Sequence, residues 1–246
     1  VISVMDRNVE NFQKANQLPM KNMPWMLLVA GIVLIVLSGA PRLLPPTIVS
    51  INLNTVIPPQ EHLKIGLVSP YGWSSQWGVN RHINGLARTL SSFGHSISVI
   101  VPAEERDTPG AEEPFHLVRV PGTLRMPYSE SLANLALPLD ASDRLDNLMA
   151  EEQFDILHLH EPYPPSLPFA ALRLAYSPVV ATFHTAAERL LSYQLIRPLV
   201  ERYLARLDGR ICTSQYSRRI ISSYFPGDYE VIANGVDTAA FSPPAP

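Results

Sequence analysis

One cysteine, Cys212, stands among 246 residues, so no internal disulfide can staple this fold. It lies in the apolar run Arg210-Ile211-Cys212-Thr213, where a thiol serves as small core filler. Charge is sparse as well: 17% of residues are charged and the formal net charge is −3. Without a basic surplus, no nucleic-acid partner is expected. The dinucleotide pattern G-x-G-x-x-G is missing, which argues against a nicotinamide-dependent oxidoreductase. A metal-ligand set is missing too. His158 and His160 fall two apart on one strand-like segment and share a face, yet no cysteine and no nearby aspartate pair completes a set. No metal site is expected.

Proline and apolar residues are plentiful instead. The 24 prolines gather in linkers and loops, and the 46% apolar content suits a packed core with an additional apolar segment. Residues 22–41, NMPWMLLVAGIVLIVLSGAP, are that segment and carry no charge. At roughly 1.5 Å per residue they make about 30 Å of helix, the thickness of a bilayer's hydrocarbon core. One transmembrane span is expected, with Trp25 near an interface; a secretory signal cleaved near Ser38-Gly39-Ala40 is the rival. Arg7, Lys14 and Lys21 of the polar segment 1–21 precede the span, and only Arg42 follows closely. That bias places the amino terminus inside and the rest outside. Pro45-Pro46 and Pro58-Pro59 make residues 42–62 a stiff tether. The chain opens on Val1 rather than methionine, as a fragment or an unusual start codon would.

From residue 63 the pattern changes to strands alternating with helices, which predicts a doubly wound, mostly parallel α/β sheet. Ile65 to Val68 read as the first buried strand. Gly78 then opens an amphipathic helix carrying Val79, Ile83, Leu86, Ala87, Leu90 and Phe93, which ends at Gly94. Further strands are expected at 97–102, 115–120, 154–160, 178–185, 210–213 and 230–233. Helices are expected after Asp140 or Ser142, from Ser166 to Leu174, over 188–207, and from Ser214 to about Tyr224. Residues 122–138 show no clear period and read as a long loop.

Ligands of such sheets bind beyond the carboxyl ends of the strands, where Gly78, Glu161, His184 and Ser214 all fall. At Gly78, free N–H groups and the helix dipole can receive a phosphate, and a missing Cβ lets it approach. The same glycine can equally serve only to pack a tight turn. His184 follows an apolar strand; an imidazole there titrates near neutrality and can donate to a sugar hydroxyl or phosphate, or be tied to a local carbonyl. His160-Glu161-Pro162 shape a cleft floor. Tyr71, Trp73 and Trp77 crowd the first loop, as stacking platforms for a ring or as a hydrophobic lid. Arg218 and Arg219 read as a solvated helix face rather than a headgroup site.

Several segments occur together in one order: Pro70-Tyr71, Gly78-Val79, Gly94-His95, Phe154 to Pro162 (FDILHLHEP), Pro165-Ser166-Leu167, Ala181 to Thr185 (ATFHT), and Asn234 to Asp237 (NGVD). As a set they resemble the amino-terminal domain of retaining glycosyltransferases with two Rossmann-like domains (GT-B), and the likeness is greatest to phosphatidylinositol α-mannosyltransferases. It covers about Lys64 to Phe241. The resemblance implies transfer of a hexose, with mannose foremost, from a nucleotide sugar (GDP-mannose or a UDP-sugar) to a lipid or glycan acceptor. Gly78 would face the donor phosphate, and His184 would contact the donor sugar and support the transition state. Tyr71, Asn80 and Asn134 would meet the acceptor, with Trp77, Glu161 and Ser214 lining the cleft. No cofactor is expected for this domain alone.

The sequence also departs from the family pattern. Trp77 stands where the loop usually has its first glycine, Asn80 where inositol-specific members tend to carry glutamine, and Asn134 where they carry arginine. The loss of that cation argues against a phosphoinositide acceptor specifically. The donor-binding second domain should begin after Phe241, where only residues 242–246 remain. The resemblance therefore implies residues 63–241 as an acceptor-side half, inactive without a carboxy-terminal donor domain. With the apolar segment 22–41 making the protein membrane-associated, a nucleotide-sugar enzyme is expected to keep this domain on the cytosolic side, where such donors are made, against the charge bias. A non-catalytic, membrane-tethered headgroup- or glycan-binding module is the alternative.

Overall fold

The computed structural model describes residues 62–74, 78–104, 113–121, 123–128, 131–136, 138–164, 166–184 and 191–236. The expected span, residues 42–61 of the tether, Trp77 and residues 237–246 lie outside the described residues. Among the described residues, no helix is long and apolar enough to cross a membrane.

Seven parallel strands form the main sheet: β1 (Lys64–Val68), β2 (Ser96–Pro102), β3 (His116–Val120), β6 (Ile156–His160), β7 (Val179–Phe183), β8 (Gly209–Cys212) and β9 (Glu230–Val231). Their order is β3-β2-β1-β6-β7-β8-β9. The chain builds outward from β1 to β3, then returns to β1's other side with β6. That reversal opens a crevice between β1 and β6 beyond their carboxyl ends, the switch point where doubly wound sheets hold ligands.

The helices are α1 (Gly78–Ser92), α2 (Pro138–Glu152), α3 (Leu167–Leu174), α4 (Leu191–Leu204) and α5 (Gln215–Tyr224). Ser166 and Ser214 cap α3 and α5, each side chain accepting the N–H three residues on, from Phe169 and Ser217. Gly94 leaves α1 with φ of +91°, a conformation that a Cβ would strain.

Strands β1, β2 and β7 are buried along nearly their whole length, as befits a sheet covered on both faces. Ile65 and Leu67 of β1 pack with Ile97, Val99 and Val101 of β2 and with Ile83 and Ala87 of α1. Register then fixes what else shares that face. Leu67 stands opposite His158, and His158 opposite Val180; His160 stands opposite Thr182. With side chains alternating, His158, His160, Thr182 and His184 are carried on the face that α1 covers.

Two expectations about elements are corrected. The described residues within 122–138 are not a loop. They contain an antiparallel pair, β4 (Thr123–Tyr128) and β5 (Ser131–Ala136), with Tyr128 opposite Ser131. Pro127 and a Ser-Glu connection, which lacks the usual Gly or Asn, hide this hairpin from sequence reading. Helix α2 begins at Pro138, ahead of both expected caps; proline suits a first helical turn because its missing N–H has no intrahelical role there.

Candidate active site

Four imidazoles meet at the switch point. His158 and His160 stack, with ring centroids 4.5 Å apart and planes at 22°. His160 stacks in turn on His184 at 5.3 Å, and its Nδ1 shares a 3.0 Å hydrogen bond with His184 Nε2. His158 Nε2 bonds the Thr182 hydroxyl at 2.7 Å. The fourth ring is His82 of α1, edge-on to His184 at 5.2 Å and to His160 at 5.6 Å. Sequence reading passed over His82. Its signal was the spacing to Val79 and Leu86, which places it on the buried stripe of α1.

Burial sets the charge state. His184 is pushed down to about 3 and His158 to about 4, chiefly by desolvation and then by the neighbouring imidazoles. His160, fully buried, is held well below its ordinary value for the same reasons, and His82 is lowered by burial. The expectation that His184 titrates near neutrality is therefore corrected. It is a neutral ring at physiological pH, suited to hydrogen bonding rather than to carrying charge.

Glu161 turns the chain at the end of β6. It is buried, and its φ of 52° is uncommon for a residue with a side chain. Its N–H donates to Thr182 O at 3.0 Å and its carboxylate accepts the backbone N–H of His184. The strained turn thus fixes where β7 releases His184.

The loop after β1 is tied down from within. Ser69 Oγ donates to Asn80 Oδ1 at 2.7 Å, and Asn80 Nδ2 donates to Gly72 O at 2.7 Å. Asn80 is buried, so its amide holds this loop on α1. Tyr71, half-buried, receives its place through its own N–H, which donates to Ser69 Oγ. Trp73 packs edge-on against Phe115 at 5.9 Å, which makes it a lid over the core.

Gly78 is the first residue of α1 and is exposed; a Cβ added there would meet nothing within 4 Å. Packing does not demand this glycine. Ser214 caps α5, its hydroxyl engaged by Ser217 N–H at 3.0 Å. Asn134 lies in β5 opposite Arg125, on the hairpin. The structure therefore brings Gly78's helix, Glu161 and His184 together through His82, whereas Ser214's hydroxyl serves α5.

A doubly wound parallel sheet with hydrogen-bonding side chains gathered at its switch point defines a small-molecule-binding α/β domain. The comparisons specify it. Residues 78–240 match the family described as Glycosyltransferase Family 4, and the chain belongs to that family. It is 35% identical to the phosphatidyl-myo-inositol mannosyltransferase of Mycolicibacterium smegmatis, over 73% of this chain and 46% of that protein. It is 25% identical to the alpha-monoglucosyldiacylglycerol synthase of Streptococcus pneumoniae, over 74% of this chain and 42% of that protein. The chain spans about half the length of the curated relatives it matches. Among solved structures, a glycosyltransferase from Rickettsia africae matches with TM-score 0.50 and 19% identity, covering 73% of this chain and 45% of that one. Sucrose-phosphate synthase from Thermosynechococcus elongatus matches with TM-score 0.52 and 16% identity, covering 72% and 49%. These two likenesses concern the fold.

Proposed function

We propose that this chain is the acceptor-binding half of a retaining glycosyltransferase. It moves a hexose, mannose foremost, from GDP-mannose or a UDP-sugar to a lipid or glycan acceptor. The observation that carries the reading is the position of His184: it leaves β7 at the switch point, its ring against the helix that Gly78 opens. A neutral imidazole there hydrogen-bonds a hydroxyl of the transferred sugar, and the open approach at Gly78 receives the donor phosphate at the helix N-terminus. Family membership and relatives named phosphatidyl-myo-inositol mannosyltransferase and alpha-monoglucosyldiacylglycerol synthase support the reaction class and a lipid acceptor.

Among the described residues, the ionisable side chains gathered at the ends of β6 and β7 are four neutral imidazoles, with the Glu161 carboxylate on the His184 N–H. None of them brings positive charge to a diphosphate, so compensation comes from elsewhere, as a carboxy-terminal donor domain would provide. Residues 1–246 alone therefore transfer little or no sugar. Joined to a donor domain, as a fusion or as a second polypeptide, they transfer it. The apolar segment 22–41 holds the domain at a bilayer, on the cytosolic side where nucleotide sugars are made.

The test is transfer from radiolabelled GDP-mannose and UDP-glucose to membrane lipids. The chain is assayed alone and with a donor domain, and His184→Ala is assayed in the active pair. Expected are activity only in the pair, and at least about a hundredfold loss for the variant. Ordinary turnover by the chain alone overturns the half-enzyme reading. If His184→Ala transfers normally, the assigned role of His184 fails. A pair that binds headgroup equally with and without His184 and never transfers sugar supports the binding-module alternative.

A further inference from the structure

His160 is a costly residue to bury. None of it is exposed, and among the described residues its Nε2 has no hydrogen-bond partner. An apolar side chain would fill the space between His158 and His82 without that penalty. What an apolar side chain could not do is make the hydrogen bond of the other nitrogen, Nδ1, which lies 3.0 Å from His184 Nε2.

The direction of that bond decides what His184 can offer. Burial holds both rings neutral, so each carries one N–H and one lone pair. If His184 Nε2–H donated, the His160 proton would lie on Nε2, a buried N–H without an acceptor. The reverse direction leaves only an unused lone pair at that atom. The second penalty is the smaller, as among backbone groups, where orphaned N–H groups are rarer than under-used acceptors. His160 Nδ1–H therefore donates to His184 Nε2, and the His184 proton is driven onto Nδ1. An unconstrained neutral histidine favours the proton on Nε2, and in a fold the hydrogen bond at one nitrogen sets the state of the other. His184 is thus held in its less common form.

The nitrogen left over is the one a ligand meets. Among the described residues nothing is hydrogen-bonded to His184 Nδ1, and in this half-buried ring that atom is not sealed in the core as His160 Nε2 is. Glu161 fixes the His184 main chain, and His160 stacks on its ring at 5.3 Å. His158, held by Thr182 and stacked on His160 at 4.5 Å, steadies His160 in turn.

We propose that His160 is a positioning residue that sets the tautomer of His184, so that His184 meets its ligand as an Nδ1–H donor and never as a lone pair. The group it recognises is then an oxygen that accepts. In the transfer reaction, and this step rests on the function proposed above, a hydroxyl of the donor sugar accepts from His184 and keeps its own proton to give elsewhere. The accessible nitrogen has no lone pair with which to remove a proton, so His184 orients the sugar and is not a general base.

The experiment is magic-angle-spinning NMR of the full chain in lipid bilayers, with isotope-labelled histidine, at about pH 7.5. The nitrogen shifts of each ring report which atom bears the proton. Signals are assigned by their loss in His184→Gln and His95→Gln. His95 is the internal reference, because its Nδ1 accepts the Leu63 N–H at 3.3 Å and its proton must lie on Nε2. Expected for His184 is the opposite form, Nδ1 protonated and Nε2 bare. His160→Asn keeps an N–H near the place of Nδ1 and retains that form, whereas His160→Leu releases His184 to the Nε2–H form. In the complete enzyme the asparagine variant retains transfer, and the leucine variant lowers kcat by about tenfold or more with acceptor KM unchanged. A bare Nδ1 on His184 in the wild-type chain overturns the proposal, whether or not the leucine variant folds. So does a His184 tautomer indifferent to both substitutions. If the spectra are as expected and the complete enzyme never transfers sugar, the transferase reading fails and the tautomer assignment stands.

Discussion

Gly78 separates a structural from a functional requirement, because nothing packs where its Cβ would be. Gly78→Ala should leave Tm unchanged or slightly raised, alanine being the better helix residue. In the complete enzyme it should lower transfer by about tenfold or more, since the methyl intrudes on a phosphate seated at the helix N-terminus. A Tm loss with unaltered transfer would mean that the glycine serves the fold. Histidine burial makes a second claim. His158 ionises at about 4 in the folded chain against about 6.5 when unfolded. Its neighbours His82 from α1, His160 on its own strand and His184 beyond β7 shift the same way. Between those values the unfolded chain binds more protons, so stability is full above about 6.5 and is lost as pH falls toward 4. His158 alone accounts for roughly 3 kcal/mol of that loss. Urea midpoints measured from pH 7.5 to 4.5 should fall steeply, and His158→Gln should flatten the curve. Cys212 offers a third check. It is fully buried and its thiol is pushed up to about 11, so iodoacetamide should leave it unmodified until the chain unfolds.

Helix starts and strand centres carry different weights. Ser214 accepts the Ser217 N–H at the start of α5, and Ser214→Ala should cost about 1 kcal/mol in chemical denaturation. Leu67 sits at the middle of β1 with no exposed surface, between α1 and the neighbouring strands. Leu67→Ala should cost about 3 kcal/mol by the cavity it leaves. The contrast tests where stability resides: equal effects would place as much on a half-buried cap as on the sheet's centre. Both serines were legible as caps because the residue type and the apolar run after it suffice. The hairpin β4–β5 was not, because its turn and its Pro127 carry none of the local chemistry that marks such a pair.

The whole molecule is organised by one reversal of strand order. With β6 placed beside β1 rather than beyond β3, α1 and the ends of β6 and β7 converge on one crevice. A helix, two strand ends and a strained glutamate turn then position His184 jointly. Substitutions at Glu161 should therefore act through His184. Glu161→Gln keeps an acceptor for the His184 N–H and should retain most transfer in the complete enzyme. Glu161→Ala should lower kcat by about tenfold, with acceptor binding preserved, as expected of a positioning residue. Equal loss in both variants would point instead to a direct role for the carboxylate.

Periodicity and caps by themselves determined the parallel α/β class, the apolar strands, the shared face of His158 and His160, and the burial of Cys212. Those are local properties, set by side-chain alternation and by backbone groups that need partners within a turn. Ordered motifs along the chain determined the family. Tertiary structure alone decided that His82 joins the cluster, that Asn80 is spent on its own loop, and that His184 is neutral. Each of these depends on which elements become neighbours across the switch point and on how completely they exclude water, and neither is written in spacing along one strand.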